Sequence, residues 1–109
     1  MDDAQPFMLL RARSRPEVRE EFGEWFRSVH LRDVGKIPGI TRIRRGMTAD
    51  GTRLALYSFA DADVVQAALG SPEAAYARGT WERWQPDLEE LLIELWSAAF
   101  PIALYRAMN

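Results

Sequence analysis

A chain of 109 residues with 48% apolar and 28% charged side chains is long enough to bury one core and too apolar to be disordered. The absence of cysteine excludes a disulfide framework, a thiolate metal site and a cysteine nucleophile, and no apolar run approaches the ~20 residues of a membrane span. The net charge of −2 hides a division, with 11 basic and 6 acidic residues between Arg11 and Arg53 but 3 and 8 from Leu54 to Asn109. Such a division would steer an anionic ligand to the first half, or hold two halves or two subunits together. The acidic start, MDDAQPFMLL, is unlike a signal peptide, so residues 1–109 are expected to form a single cytoplasmic domain.

Gln5 to Arg13 predicts a first strand, with Met8, Leu10 and Ala12 on one face and Phe7, Leu9 and Arg11 on the other. Its first half is apolar on both faces, which predicts a sheet covered on both sides, more than one layer of helices achieves. Ser14 and Glu17 have capping-box spacing, Pro16 suits a first turn, and Val18, Phe22, Trp25, Phe26 and Val29 recur at helical period. That helix is expected to end near His30, with one irregular turn between Leu31 and Ile37. Pro38-Gly39 predicts a type II turn with glycine where φ is positive.

Thr41 to Arg45 and Thr52 to Phe59 read as the second and third strands, joined by a hairpin at Asp50-Gly51. Asp61 to Leu69 predicts a short helix capped by Asp61 or Asp63 and stopped by Gly70, and Ser71-Pro72-Glu73 opens another. From Pro86 onward Leu88, Leu91, Leu92, Leu95 and Trp96 follow a helical period, so a helix is predicted there, although Ile93 to Ser97 also fits a strand. Phe100 to Met108 is the predicted last strand, and Pro101 places it at an edge or strand end.

The order β-α-β-β-α-β predicts an α+β, ferredoxin-like antiparallel sheet with helices on one face. The bare face is expected to carry Phe7, Leu9, Ala55, Tyr57 and Phe59, and so apolar a patch predicts a homodimer formed through the open sheet face.

His30 is the only histidine, so no Cys/His metal cluster is expected and no metal is assigned. Three readings stay open for it: a helix-end ring bonded to a free carbonyl, a pocket wall, and a catalytic general acid/base. Arg42 and Arg44 alternate on one strand face; facing inward they would bind a carboxylate or phenolate of a substrate, and at an edge they would discourage strand pairing. Trp25 matches the helix stripe, while Tyr57, Trp81 and Trp84 are candidates, with Trp25, for an apolar substrate-binding wall.

Trp25, His30-Leu31 and Ile37-Pro38-Gly39-Ile40 running into the arginine strand resemble the dimeric α+β barrel superfamily, most of all its EthD-like branch. Ser71-Pro72-Glu73 and Trp84 to Leu88 add a weaker likeness. Val29 and Arg32 stand where that pattern often has an acid and a proline, so no adjacent carboxylate would raise the pKa of His30. The resemblance implies a homodimer holding a small aromatic or polyketide-like molecule without a cofactor. The reactions it implies are isomerisation, cofactor-independent monooxygenation and decarboxylation.

A non-catalytic dimeric protein with an interaction or stress-related role is the alternative. An RNA-binding RRM has the same element order, but Leu54 and Leu56 stand where its third-strand motif needs stacking aromatics, so no nucleic acid is expected, nor a membrane.

Overall fold

Strand β1 (Phe7–Ser14) lies at the centre of an antiparallel sheet in the computed structural model, which describes residues 5–97 and 100–108, with residues 97 and 100–108 described by their backbone alone. The opening Met1–Ala4, part of the start read above as unlike a signal peptide, lies outside the described residues. β1 pairs with β3 (Arg53–Phe59) on one side and β4 (Leu88–Ser97) on the other. β2 (Ile40–Met47) flanks β3 and β5 (Phe100–Met108) flanks β4, giving the order β2-β3-β1-β4-β5. The first four strands and the helices between them make the ferredoxin-like unit, and β5 extends it at the edge, where Pro101 is tolerated.

The segment from Pro86 to Ser97 is therefore not a helix. A short 3₁₀ segment, Glu82–Asp87, leads into strand β4. The leucines of this stretch match a helical period, but the sheet uses them on both faces. Leu91, Ile93 and Leu95 pair with Ala12, Leu10 and Met8 toward the helices, while Leu92, Glu94 and Trp96 pair with Arg11, Leu9 and Phe7 on the open face.

Directly paired residues of an antiparallel ladder share a face. Leu10 pairs with Ala55 and Met8 with Tyr57, so β3 turns Ala55, Tyr57 and Phe59 toward the helices, where they are fully buried. This corrects the expectation that those three line the bare face: Leu54 and Leu56 lie there instead, beside Leu9, Phe7 and Trp96. Phe7 and Trp96 stack at 5.8 Å. Arg11 and Arg13 pair with Glu89 and Glu90 at one end of the same face.

Helix α1 (Arg19–Trp25) follows a 3₁₀ turn, Pro16–Val18. The capping box does not form, because Ser14 is still in β1 and its Oγ donates to the Arg15 carbonyl. The helix does not stop at His30 either. It passes through a π turn, Phe26–His30, in which the Leu31 N–H reaches the Phe26 carbonyl, and continues as α2 (Leu31–Val34). Ile37 to Ile40 then close a turn, the Ile40 N–H bonding the Ile37 carbonyl with Gly39 at φ 97°.

Asp61 Oδ1 accepts the Asp63 and Val64 N–H groups ahead of α3 (Val65–Leu69), and Ser71 Oγ accepts the Ala74 N–H at the start of α4 (Pro72–Gly79). These helices and α1 pack on one sheet face around Leu10, Phe22, Trp25, Tyr57 and Trp84.

A Cβ on Gly39 would sit 3.2 Å from Val64 Cγ2 and would hold φ at 97°. Gly39→Ala is expected to destabilise the fold by about 1–2 kcal/mol, lowering the melting temperature by roughly 4–8 °C per kcal/mol. An unchanged melting curve would contradict this account of the turn.

Candidate small-molecule cavity

Between the helical layer and the sheet lies a cavity of about 480 Å³. Its sheet wall is Met8 and Leu10 of β1, Tyr57 of β3, and Leu91 and Ile93 of β4. Its helical wall is His30, Val34, Ile37, Leu69 and Trp81, with Ala74 and Ala77 from α4. The two alanines are short and α4 packs against α2, so no side chain crosses the gap and the volume stays open. Arg78 and Gln85 also line it and are solvent-exposed, which places them at the opening.

Inside, two side chains are titratable. His30 Nε2 and Tyr57 Oη share a hydrogen bond of 2.7 Å, with His30 3% and Tyr57 0% exposed. The imidazole is packed by the rings of Trp81 at 4.9 Å, Phe26 at 5.0 Å and Trp25 at 5.7 Å. Burial lowers His30 from 6.5 to about 3 and raises Tyr57 above the ordinary tyrosine value, so both are neutral near pH 7. Nδ1 of His30 has no hydrogen-bond partner among the described residues.

The structure thus brings together three of the residues singled out in the sequence, His30, Tyr57 and Trp81, around one cavity. Trp25 stacks on His30 from outside the lining. Trp84 packs into the core against Phe22 at 5.3 Å, with the Arg83 guanidinium 4.8 Å from its ring centre. Arg42 and Arg44 pair with Ser58 and Leu56 on edge strand β2, so they lie exposed on the open face, across the sheet from the cavity.

Sequence reasoning missed Arg78, Gln85 and the β4 contribution. Arg78 carries no signal until α4 is known to turn its alanines inward, and Leu91 and Ile93 lie in the stretch whose leucine period predicts a helix, with a strand fitting only from Ile93 onward. Among the described residues no group of three His, Asp or Glu could hold a metal ion, and no helix is long and apolar enough to cross a membrane.

No family model matches the sequence, and no curated protein does. Solved structures do match the fold. An EthD-family protein from Bacillus halodurans is 19% identical, with 81% of this chain and 95% of that one aligned at a TM-score of 0.62. SnoaB, a cofactor-independent oxygenase from Streptomyces nogalater, is 16% identical over 90% of this chain and 96% of its own, at 0.65. A Deinococcus radiodurans protein, provisionally described as an antibiotic biosynthesis monooxygenase, is 11% identical over 92% and 98%, at 0.64.

The burial of His30 sets a pH dependence whose sign follows from linkage. Above 6.5 the ring is neutral in both states; below it the unfolded chain takes up a proton that the folded ring refuses until about 3. Stability is therefore fully present above pH 6.5 and is expected to fall as pH drops, by about 1.4 kcal/mol per unit. Hydrogen bonds from Thr48 and Thr52 hold Asp50 at about 2, so its own loss begins only below its ordinary value of 3.8. Denaturant melts between pH 6.5 and about 4.5 should show the slope in the wild type and not in His30→Phe; an equal slope in both would refute the assignment.

Proposed function

Since the chain has the ferredoxin-like fold of the dimeric α+β barrel superfamily, we propose that it binds a small aromatic or polyketide-like molecule in the cavity beside His30 and oxygenates it without a cofactor. The observation that carries the binding reading is the largely apolar, open-mouthed cavity of about 480 Å³ with the buried His30–Tyr57 pair among its lining. The oxygenation reading is supported by likeness of fold to a cofactor-independent oxygenase, and fold alone supplies a site rather than a chemistry.

In this reading an enolisable or phenolic substrate lies with its reacting oxygen against His30. Loss of a C–H proton to the medium makes it electron-rich, dioxygen takes the electrons as a new C–O bond forms, the resulting peroxide takes a proton back, and loss of water from the hydroperoxide leaves a carbonyl. Trp81 and the aliphatic walls keep water away from the anion while it exists. The lowered pKa of His30 suits a group that stays uncharged in such a dry site.

The protein is proposed to act as a homodimer through the open sheet face. Phe7, Leu9, Leu54, Leu56 and Trp96 are half-buried there with no described helix over them, an apolar area that a second copy would cover. Arg42 and Arg44 would then lie near the partner and not near the ligand.

Titration with 2-naphthol is expected to quench tryptophan fluorescence saturably, because Trp81 lines the cavity and Trp25 stacks on His30; no response up to its solubility limit would remove the binding reading. Consumption of dissolved oxygen with 1,3-dihydroxynaphthalene checks the oxygenation separately. By gel filtration the wild type should elute as a dimer and Leu56→Glu as a folded monomer; a monomeric wild type would overturn the sheet-face pairing.

A further inference from the structure

The cavity beside His30 has two unlike ends. Its inner end holds the buried His30–Tyr57 pair, both neutral near pH 7, and its opening carries the exposed Arg78 and Gln85. Among the described residues Arg78 is the one charged side chain of the lining near that pH, and no aspartate or glutamate stands there to neutralise it. Its guanidinium is held at the rim, because Nη1 donates to the Leu69 carbonyl at 3.0 Å and Leu69 itself lines the cavity. That bond ties the last turn of α4 to the last residue of α3 and satisfies a carbonyl at a helix end. A guanidinium has five N–H donors in a planar fork that fits a carboxylate, and the Gln85 amide brings a further donor to the same opening.

We propose that Arg78 makes the cavity selective for an aromatic carboxylic acid, bound with its rings against the apolar walls and its carboxylate at the opening, on Arg78 and Gln85. The inference rests on the ligand-binding reading above and deepens it by naming the substrate class and the way round that it enters. Rings that reach Leu10, Trp81 and Ile93 gain by leaving water, whereas a carboxylate carried inward would lose its hydration with no cation to replace it. One orientation therefore satisfies both ends. The part of the molecule that meets His30 and Tyr57 is then the part remote from the acid, so a phenolic or enolisable group belongs there. A single guanidinium matches a carboxylate monoanion; a phosphate, with close to two charges, would call for a second cation.

The test compares 2-naphthoate with 2-naphthamide, which have nearly the same shape and differ in charge, by quenching of tryptophan fluorescence. The acid should bind the wild-type protein about three- to tenfold more tightly at low salt, between the effect of an exposed ion pair and that of a charged hydrogen bond. Added salt should shrink the preference. Arg78→Gln should bring the ratio close to one by weakening 2-naphthoate, and Arg78→Lys, which keeps the charge without the fork, should retain part of it. Arg83→Gln removes the same charge from the exposed surface beside Trp84, outside the cavity lining, and should leave the ratio unchanged.

Equal affinity for the two probes, or a preference that survives in Arg78→Gln, overturns the inference while leaving the cavity a binding site. So does binding of 2-naphthol without binding of 2-naphthoate. Failure of all three to bind overturns the binding reading and this inference with it.

Discussion

The hydrogen bond between His30 and Tyr57 joins the two layers of this molecule at the place where they would otherwise separate. Tyr57 stands on β3, one strand from the centre of the sheet, and its hydroxyl reaches the helical layer at the π turn. Around that point Phe22, Phe26, Trp25, Trp81 and Trp84 fill the space with rings, and on the far side the alanines of α4 do not. The layers are thus packed tightly on one side of the pair and held apart on the other. The cavity follows from that asymmetry: it is the interlayer volume that aromatic packing does not reach. Removing either member of the pair strands the other in a low-dielectric site, where a lost hydrogen bond is felt in full.

The π turn is what brings His30 to this position. An α-helix advancing regularly from Phe22 and Trp25 would favour Val29 on the inward stripe, but Val29 is only half-buried and His30 is nearly inaccessible. Widening one turn re-aims the helix so that His30, Val34 and Ile37 face the sheet. Such turns recur at functional sites because they place a polar group at a position that regular packing would give to an apolar one.

Much of the architecture was readable because local chemistry and fold agree. Asp61 and Ser71-Pro72 start helices, while Pro38-Gly39 and Asp50-Gly51 turn the chain with both glycines at positive φ. β4 was misread because both of its faces touch apolar groups, so its run lacks the alternation that separates strand from helix. β3 alternates cleanly, yet Leu54 and Leu56 are as apolar as Ala55 and Tyr57, and alternation alone does not say which set the helices cover. His30 and Trp81 were legible as site candidates by residue type and context. The cavity they share was not, since it depends on what small side chains leave empty, and the absence of volume has no residue of its own. The arginines of β2 are alike in sequence whichever way the strand faces, and its register with β3 decides it.

The strand order also has a consequence for how this chain reaches its native state. β1 occupies the centre, but both of its partners lie far along the chain: Leu10 meets Ala55 on one side and Ile93 on the other. During synthesis the apolar Phe7–Leu10 segment is extruded first and must wait, unpaired on both edges, until β3 and then β4 appear. Before β4 emerges the β2–β3 hairpin is the strand pairing that contacts close in sequence can form, and β4–β5 is the later one. Topologies dominated by such distant pairings fold slowly and leave adhesive segments open in the meantime. The arginines that punctuate the end of β1 therefore do a second service: they keep the nascent strand charged while it is still alone.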